Sequence, residues 1–349
     1  MRILALDLGK QKTAAFLLDR DRDEQRHTTV KTTSAALHDL IVAMSPQRVV
    51  FEICPIAGWL SDLVRAMDID LQVVNVAHDA WRWRNVRAKS DRLDAVKLAE
   101  LSLVDQLSLV HVPERTTRQW RSLIAYRKQV VGRRTQIQNS IRAILDREGL
   151  TMPAGQKGWN TSSLEYLREL STSLATAEPE DLWRGQLALE LQALAAVNEQ
   201  LQALESKLDA KADADARCQR LMSIPGVGHR LAEAVVAVID DPKRFRSGRQ
   251  VGSYVGLTPR RYQSGQSDRQ GRISRMGNSL LRSLLVEVSW IGLRYNPWMR
   301  EVYESVRRGS ASRKKIAIVA VARRLLVVCW AMLRDGTMWR DPVPAATAT

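Results

Sequence analysis

Ile3-Leu4-Ala5-Leu6-Asp7-Leu8-Gly9 opens the chain with an apolar run that ends on a carboxylate at a turn. Four consecutive apolar residues closed by a glycine predict a short strand buried on both faces. Arg48-Val49-Val50-Phe51-Glu52 repeats the pattern and again ends on an acid. Ala14 to Leu18 fits a hairpin partner for the first strand, Leu71 to Val76 a further strand, and Leu37 to Met44 and Trp59 to Met67 two helices. Strands alternating with helices over residues 1–110 predict an α/β layer sandwich.

A second acidic feature follows. Lys89-Ser90-Asp91-Arg92-Leu93-Asp94-Ala95 reads as a helix N-terminus, with Asp91 and Asp94 three residues apart on one face of its first turn. Asp7, Glu52, Asp91 and Asp94 are thus positioned to converge at one end of a sheet. Converged carboxylates repel unless a cation neutralises them, and an all-oxygen ligand set suits Mg²⁺ or Mn²⁺. Two such ions can activate one oxygen and stabilise another in phosphoryl transfer. Each acid also has a plainer reading, Asp91 as a helix cap and Asp7 as a turn former. No single one is diagnostic.

Composition narrows the substrate. The 349 residues suit two or three domains, and 53 Lys+Arg against 38 Asp+Glu give a net charge of +15 and a pI near 10.2. Such a charge favours nucleic acid or an anionic membrane surface as partner. No apolar stretch is read as reaching the roughly 18 residues that span a bilayer, and no signal-peptide pattern opens the chain. Nucleic acid therefore leads. Cys54, Cys218 and Cys329 are too widely separated for a disulfide framework or a zinc spacing, which fits a reducing cytoplasm.

Residues 111–215 read as a helical or coiled-coil region. Leu187, Leu191, Leu194, Val197, Leu201, Leu204 and Leu208 advance by alternating threes and fours, the seam of a helical hairpin or short coiled coil. That seam is either an intramolecular core face or a dimerisation arm. Residues 216–340 form the third, mostly helical region, and 341–349 read as a frayed tail.

Near the start of the third region comes Leu221-Met222-Ser223-Ile224-Pro225-Gly226-Val227-Gly228, where glycines at this spacing allow a tight turn to present backbone N–H groups at the next helix N-terminus. This is the turn of helix-hairpin-helix DNA-binding modules; taken alone it is also an ordinary interhelical turn. From Lys243 to Arg275 nine cations, Arg260, Arg261, Arg269, Arg272 and Arg275 among them, face the single acid Asp268. A solvated face would mix both signs, so a polyanion-facing surface is the stronger reading. Within it Arg260-Arg261-Tyr262-Gln263-Ser264-Gly265 places a hydroxyl beside phosphate-binding forks, though serines beside glycines are common. Trp81, Arg82, Trp83, Arg84, Arg87 and Lys89 interleave aromatic rings and cations, a pattern that stacks on bases and binds phosphates or else packs with a solvated rim.

Leu6-Asp7, Glu52, the run Lys89 to Ala95, the turn Ile224 to Gly228 and the block Gly256-Leu257-Thr258-Pro259-Arg260-Arg261-Tyr262-Gln263-Ser264-Gly265 occur in the order seen in DEDD transposases of the insertion-sequence one-ten family. The chain resembles that family over almost its whole length. The resemblance implies a RuvC-like (RNase H-like) N-terminal domain, a helical middle and a C-terminal transposase domain. It implies metal ligation by Asp7, Glu52, Asp91 and Asp94 and a nucleophilic Ser264 that forms a phosphoserine link to DNA. It also implies donor and target DNA, a structured guide (bridge) RNA, and a homo-oligomer, dimer or tetramer, in which the acids of one subunit assist the serine of another. The family often has Ala-Thr-Gly after its glutamate, whereas Ile53-Cys54-Pro55 follows Glu52 here, so contacts made by that loop are open. Two other readings of the residues stand beside this one: a resolvase-like nuclease working through activated water, and a non-catalytic nucleic-acid binder.

Overall fold

The computed structural model describes residues 1–75, 91–153, 158–264 and 267–340. The chain divides into two compact units, Met1–Gln119 and Trp120–Thr349.

The first unit is built on β1 (Arg2–Leu8), β2 (Lys12–Asp19), β3 (Glu24–Lys31), α1 (Ser34–Met44), β4 (Arg48–Glu52), α2 (Ala57–Ala66), β5 (Asp70–Val74) and α3 (Asp91–Leu103). The five strands lie in the order β3-β2-β1-β4-β5. β1, β2 and β3 form an antiparallel meander, while β4 is parallel to both β1 and β5. Alternation decides which residue faces which layer. Leu4, Leu6, Val49 and Phe51 pack with Leu37, Ile41 and Leu60 of α1 and α2. Ile3, Ala5 and Val50 point the other way, against Ala95, Leu98 and Ala99 of α3. The continuous apolar runs of β1 and β4 are thereby explained, since helices cover both faces. β3, whose sequence Glu24-Gln25-Arg26-His27-Thr28-Thr29-Val30-Lys31 has no apolar run, was not foreseen; it is an edge strand held by its ladder to β2.

The second unit contains most of α4 (Arg115–Arg147), then α5 (Thr161–Leu170), α6 (Leu182–Ala214), α7 (Ala216–Met222), α8 (His229–Ile239), α9 (Gly248–Val255), β6 (Pro259–Ser264), β7 (Ser267–Ile273), α10 (Ser279–Tyr295), α11 (Pro297–Arg307) and α12 (Lys314–Asp335). α4 and α6 have 33 residues each, about 50 Å at 1.5 Å per residue. They pair along their length: Ile141 and Ile144 with Leu187 and Leu194, Val130 with Val197 and Leu201, and Trp120 and Ile124 in one cluster with Leu208. The seam of α6 is therefore an intramolecular core face. Beyond this hairpin, α7 to α12 enclose a single large cluster that includes Ile224, Val235, Leu285, Val321, Leu325 and Trp330.

One expectation needs correction. Ala311–Asp335 is long and apolar enough to cross a membrane by length and composition, so the chain does contain a stretch of that size. Half of its apolar window is buried inside the unit, and Val321, Ala322, Leu325, Leu326 and Cys329 sit in the core, which makes it a core helix. The three cysteines are free, and burial pushes the Cys218 and Cys329 thiols up to about 12.

Candidate functional site

The first unit gathers acids by strand register. β1 and β4 are parallel with Leu6 opposite Phe51, so Asp7 and Glu52 follow side by side where the two strands end. By alternation both belong to the face that carries Ile3, Ala5 and Val50, the face under α3. Both are half-buried.

The direction of α3 fixes where its acids lie. Near its C-terminal end, Ser102 donates from Oγ to Gln72 Oε1 at 2.7 Å, and Arg48 at the start of β4 donates from Nη1 to the Ser102 carbonyl at 3.1 Å. The helix therefore runs back over the sheet toward the strand ends. From Ser102 to Asp94 is about 12 Å of helix, and from Arg48 to Glu52 about 13 Å of strand. Asp94 is thus level with Glu52, and it shares the helix face of Ala95 and Leu98, which lie on the sheet. Asp91 occupies the first position of the same helix, but its side chain lies outside the described residues. Among the described residues no three acid, His or Cys side chains close into a metal-holding cluster. As a donor set, carboxylates alone at one sheet edge suit a hard divalent cation.

Lys97 is a residue the sequence reading missed. It stands one turn beyond Asp94 and is only 8% exposed. Burial lowers its pKa, and the neighbouring Asp94 opposes that shift. The loop after Glu52 also takes definite form. Ile53 N–H donates to the Val74 carbonyl at 2.9 Å and Ala57 N–H to the Cys54 carbonyl at 3.1 Å, so Ile53-Cys54-Pro55-Ile56 leads directly into α2. Trp81, Arg82, Trp83, Arg84, Arg87 and Lys89 lie outside the described residues.

In the second unit, α7 and α8 are joined by the turn read from the sequence. Gly226 has φ +93°, the left-handed region, and a Cβ there would come within 3.1 Å of the Gly292 Cα. Glycine is required by both conformation and close approach. Gly228 is the N-cap of α8, with no side-chain cap and no acid in the first turn. Asn296, wholly buried, donates from Nδ2 to the Pro225 carbonyl at 3.4 Å.

The arginine-rich block is a hairpin, which the sequence did not announce. β6 and β7 pair antiparallel, with Tyr262 opposite Arg269, Gln263 opposite Asp268 and Ser264 opposite Ser267. Alternation assigns positions 262 and 269 to one face and 261, 263 and 268 to the other. Arg261 and Asp268 form a forked pair at 2.8 and 2.6 Å on the latter face. That hydrogen-bonded pairing raises the Arg261 pKa and lowers that of Asp268. Arg260, Tyr262, Arg269, Arg272 and Arg275 are exposed. Ser264 is the last described residue of β6, and its side chain and that of Ser267 lie outside the description. Ser274 is different: its Oγ is buried at the hairpin base without a partner, shut away from any phosphate.

The base of the hairpin is held by close backbone contact. Gly256 (φ +78°) and Gly277 (φ +74°) would place a Cβ 2.1 Å from the Met276 carbonyl oxygen and 2.0 Å from that of Tyr254. Arg282 Nη1 donates to the carbonyls of Val255, Met276 and Gly277 at 2.9, 2.7 and 3.2 Å. One guanidinium thus clamps both ends of the segment that carries the hairpin.

Paired acids at a sheet edge and a basic helical unit with an exposed hairpin describe an enzyme of nucleic-acid phosphates, and comparison makes the class specific. A transposase model of the DEDD type from IS110 elements matches residues 4–149, and the model for the transposase IS116/IS110/IS902 family matches residues 218–304. The chain is 31% identical to the transposase for insertion sequence element IS1111A of Coxiella burnetii, covering 84% of this chain and 79% of that one. It is 27% identical to a probable family 20 transposase of Pseudomonas aeruginosa, covering 97% and 98%. A pilin gene-inverting protein of Moraxella lacunata is 34% identical over 34% of this chain and 38% of its own length. The chain belongs to the IS116/IS110/IS902 family of transposases, enzymes of DNA recombination.

Proposed function

We propose that this transposase cleaves and rejoins DNA through a phosphoserine link at Ser264, assisted by divalent metal held by Asp7, Glu52, Asp91 and Asp94. The observation that carries the reading is the parallel register of Asp7 and Glu52 beneath the acid-bearing first turn of α3. A RuvC-like fold for the sheet unit is part of the same reading, supported by the mixed five-stranded order. Mg²⁺ or Mn²⁺ bound there would supply positive charge to the phosphate oxygens and make an attacking hydroxyl more acidic.

The chain's own residues do the rest. Arg260 and Arg269, with Tyr262, offer donors to the nonbridging oxygens of the phosphate next to Ser264. The serine loses its proton as its oxygen bonds to phosphorus, and the bond to the leaving deoxyribose oxygen breaks as that oxygen takes up a proton. Reversal of this step with a second DNA end rejoins the strand and frees the serine. Arg272 and Arg275 extend the phosphate surface, and the backbone N–H groups at Gly226 and Gly228 add a sequence-independent contact. Trp81, Arg82, Trp83, Arg84, Arg87 and Lys89 are assigned to the structured guide RNA. The reading includes a homo-oligomer, dimer or tetramer, in which the acids of one subunit assist the serine of another.

The test is mass spectrometry of adducts trapped by denaturing the protein after incubation with Mg²⁺, the element's noncoding RNA and junction DNA. A nucleotide on the Ser264 peptide, lost in Ser264→Ala and in Asp7→Ala, is the expected result. Cleavage that leaves no adduct would turn the reading toward hydrolysis by activated water.

A further inference from the structure

A groove of about 1240 Å³ runs between β7 and α12 in the second unit. Its floor is apolar, formed by Leu257, Ile273, Trp298, Ile316 and Val319 among others. Ile316 is 60% exposed and Trp298 is half-buried, so the floor presents open apolar surface rather than sealed core. The rim carries Arg272 and Arg275 from the β7 side and Lys315, Arg323 and Arg324 from α12, and among the described residues no acid lines it.

None of these five cations forms an ion pair among the described residues, whereas Arg217, Arg230 and Arg261 of the same unit are each matched by an aspartate. Five unneutralised like charges round one groove repel each other, and a bound polyanion relieves that repulsion. The rim thus selects for negative charge. The floor selects within that class. Trp298 meets the Trp339 ring edge to face at 5.5 Å between centroids and packs against the core, while the rest of its surface and Ile316 line the groove; a duplex keeps its base faces stacked and offers that open apolar surface only sugar and phosphate. An unpaired strand offers phosphates to the rim and a base face to the floor. Along α12, Lys315 and Arg323 stand about 12 Å apart, enough for the rim to meet more than one phosphate of a strand.

We propose that this groove holds a short unpaired segment of a nucleic-acid strand, its phosphates on Arg272, Arg275, Lys315, Arg323 and Arg324 and a base against Trp298 and Ile316. The inference rests on the chain acting on DNA, and it is independent of which hydroxyl attacks.

The experiment measures anisotropy of a labelled oligonucleotide, single-stranded or as its duplex, with the full chain in EDTA. Because it reads binding alone, its outcome is separate from adduct formation at Ser264. Ile316→Ser, a neutral change at an exposed position, is expected to weaken single-strand binding about tenfold and duplex binding far less. An oligonucleotide carrying iododeoxyuridine is expected to photocrosslink to the Trp298 peptide. Equal losses for strand and duplex, no loss for either, crosslinks confined to other peptides, or displacement by polyglutamate as readily as by unlabelled strand would each overturn the proposal.

Discussion

Glu233 is 1% exposed in α8, with Oε1 3.0 Å from Arg230 Nη1 and Oε2 without a partner. Burial pushes its carboxyl up to about 7, although Arg230, Arg127 and His229 pull it down, with Glu205 adding to the rise. Asp209 of α6 also faces Arg230, so the guanidinium is shared between two acids. The folded state therefore holds a proton that the unfolded chain, with a pKa near 4.5, releases sooner. By linkage, the contribution of Glu233 to stability is full below about pH 4.5, is lost as pH rises to about 7 and is flat above that. Glu233→Gln is expected to flatten this slope, matching the parent near pH 4 and exceeding it at pH 8 by about 1–3 kcal/mol. Denaturant titrations of the full chain across that range would show it, and parallel curves for the two proteins would refute it. Neither Glu233 nor Lys97 could be read from sequence, because a charged residue on a helix reads as solvated until its tertiary neighbours are known. Asp7 and Glu52 were legible as strand-ending acids because apolar runs precede them.

At the scale of elements, legibility followed hydrophobic pattern. β1, β2, β4 and β5 carry apolar runs and were found to within a few residues, and α6 was legible through its seam from Leu187 to Leu208. β6 and β7 carry arginines where a buried strand would carry valines, so the hairpin left no periodic signal. A two-stranded ribbon of this kind is marginal alone, and its order has to come from its base. That makes Arg282 the controlling residue. Arg282→Ala leaves three carbonyls without their charged donor, a loss of about 1.5–3 kcal/mol. Arg282→Lys should recover part of it, because all three bonds come from the one Nη1 atom and an ammonium also carries three donors, though on a shorter stem. The expected outcome is faster hydrogen exchange at the β6 and β7 amides in both variants, with the exchange of α4 and α6 unchanged. Unaltered hairpin exchange would assign its order to other contacts.

For the whole molecule, each compact unit has its own core, and the proposed metal ligands belong entirely to the first. The proposed convergence of those ligands was read from two strand ends and a helix start, whereas its spacing was not, because that depends on the β1–β4 register and on the direction of α3, both tertiary facts. It also has a consequence that needs no DNA. A cation that binds the folded sheet edge and not the unfolded chain stabilises what it binds, by about 2.7 kcal/mol at a hundred times its dissociation constant. Mg²⁺ should therefore slow hydrogen exchange in peptides covering β1, β4 and the start of α3, and leave the helical core of the second unit as it was. Asp7→Asn should abolish the protection while keeping the exchange pattern of the metal-free parent, since a half-buried side chain at a strand end can change without opening the core. Protection spread evenly over both units would mean that Mg²⁺ acts on the chain's charge at large. No protection in either would remove the sheet edge as a metal site and leave the hairpin serine to act without it.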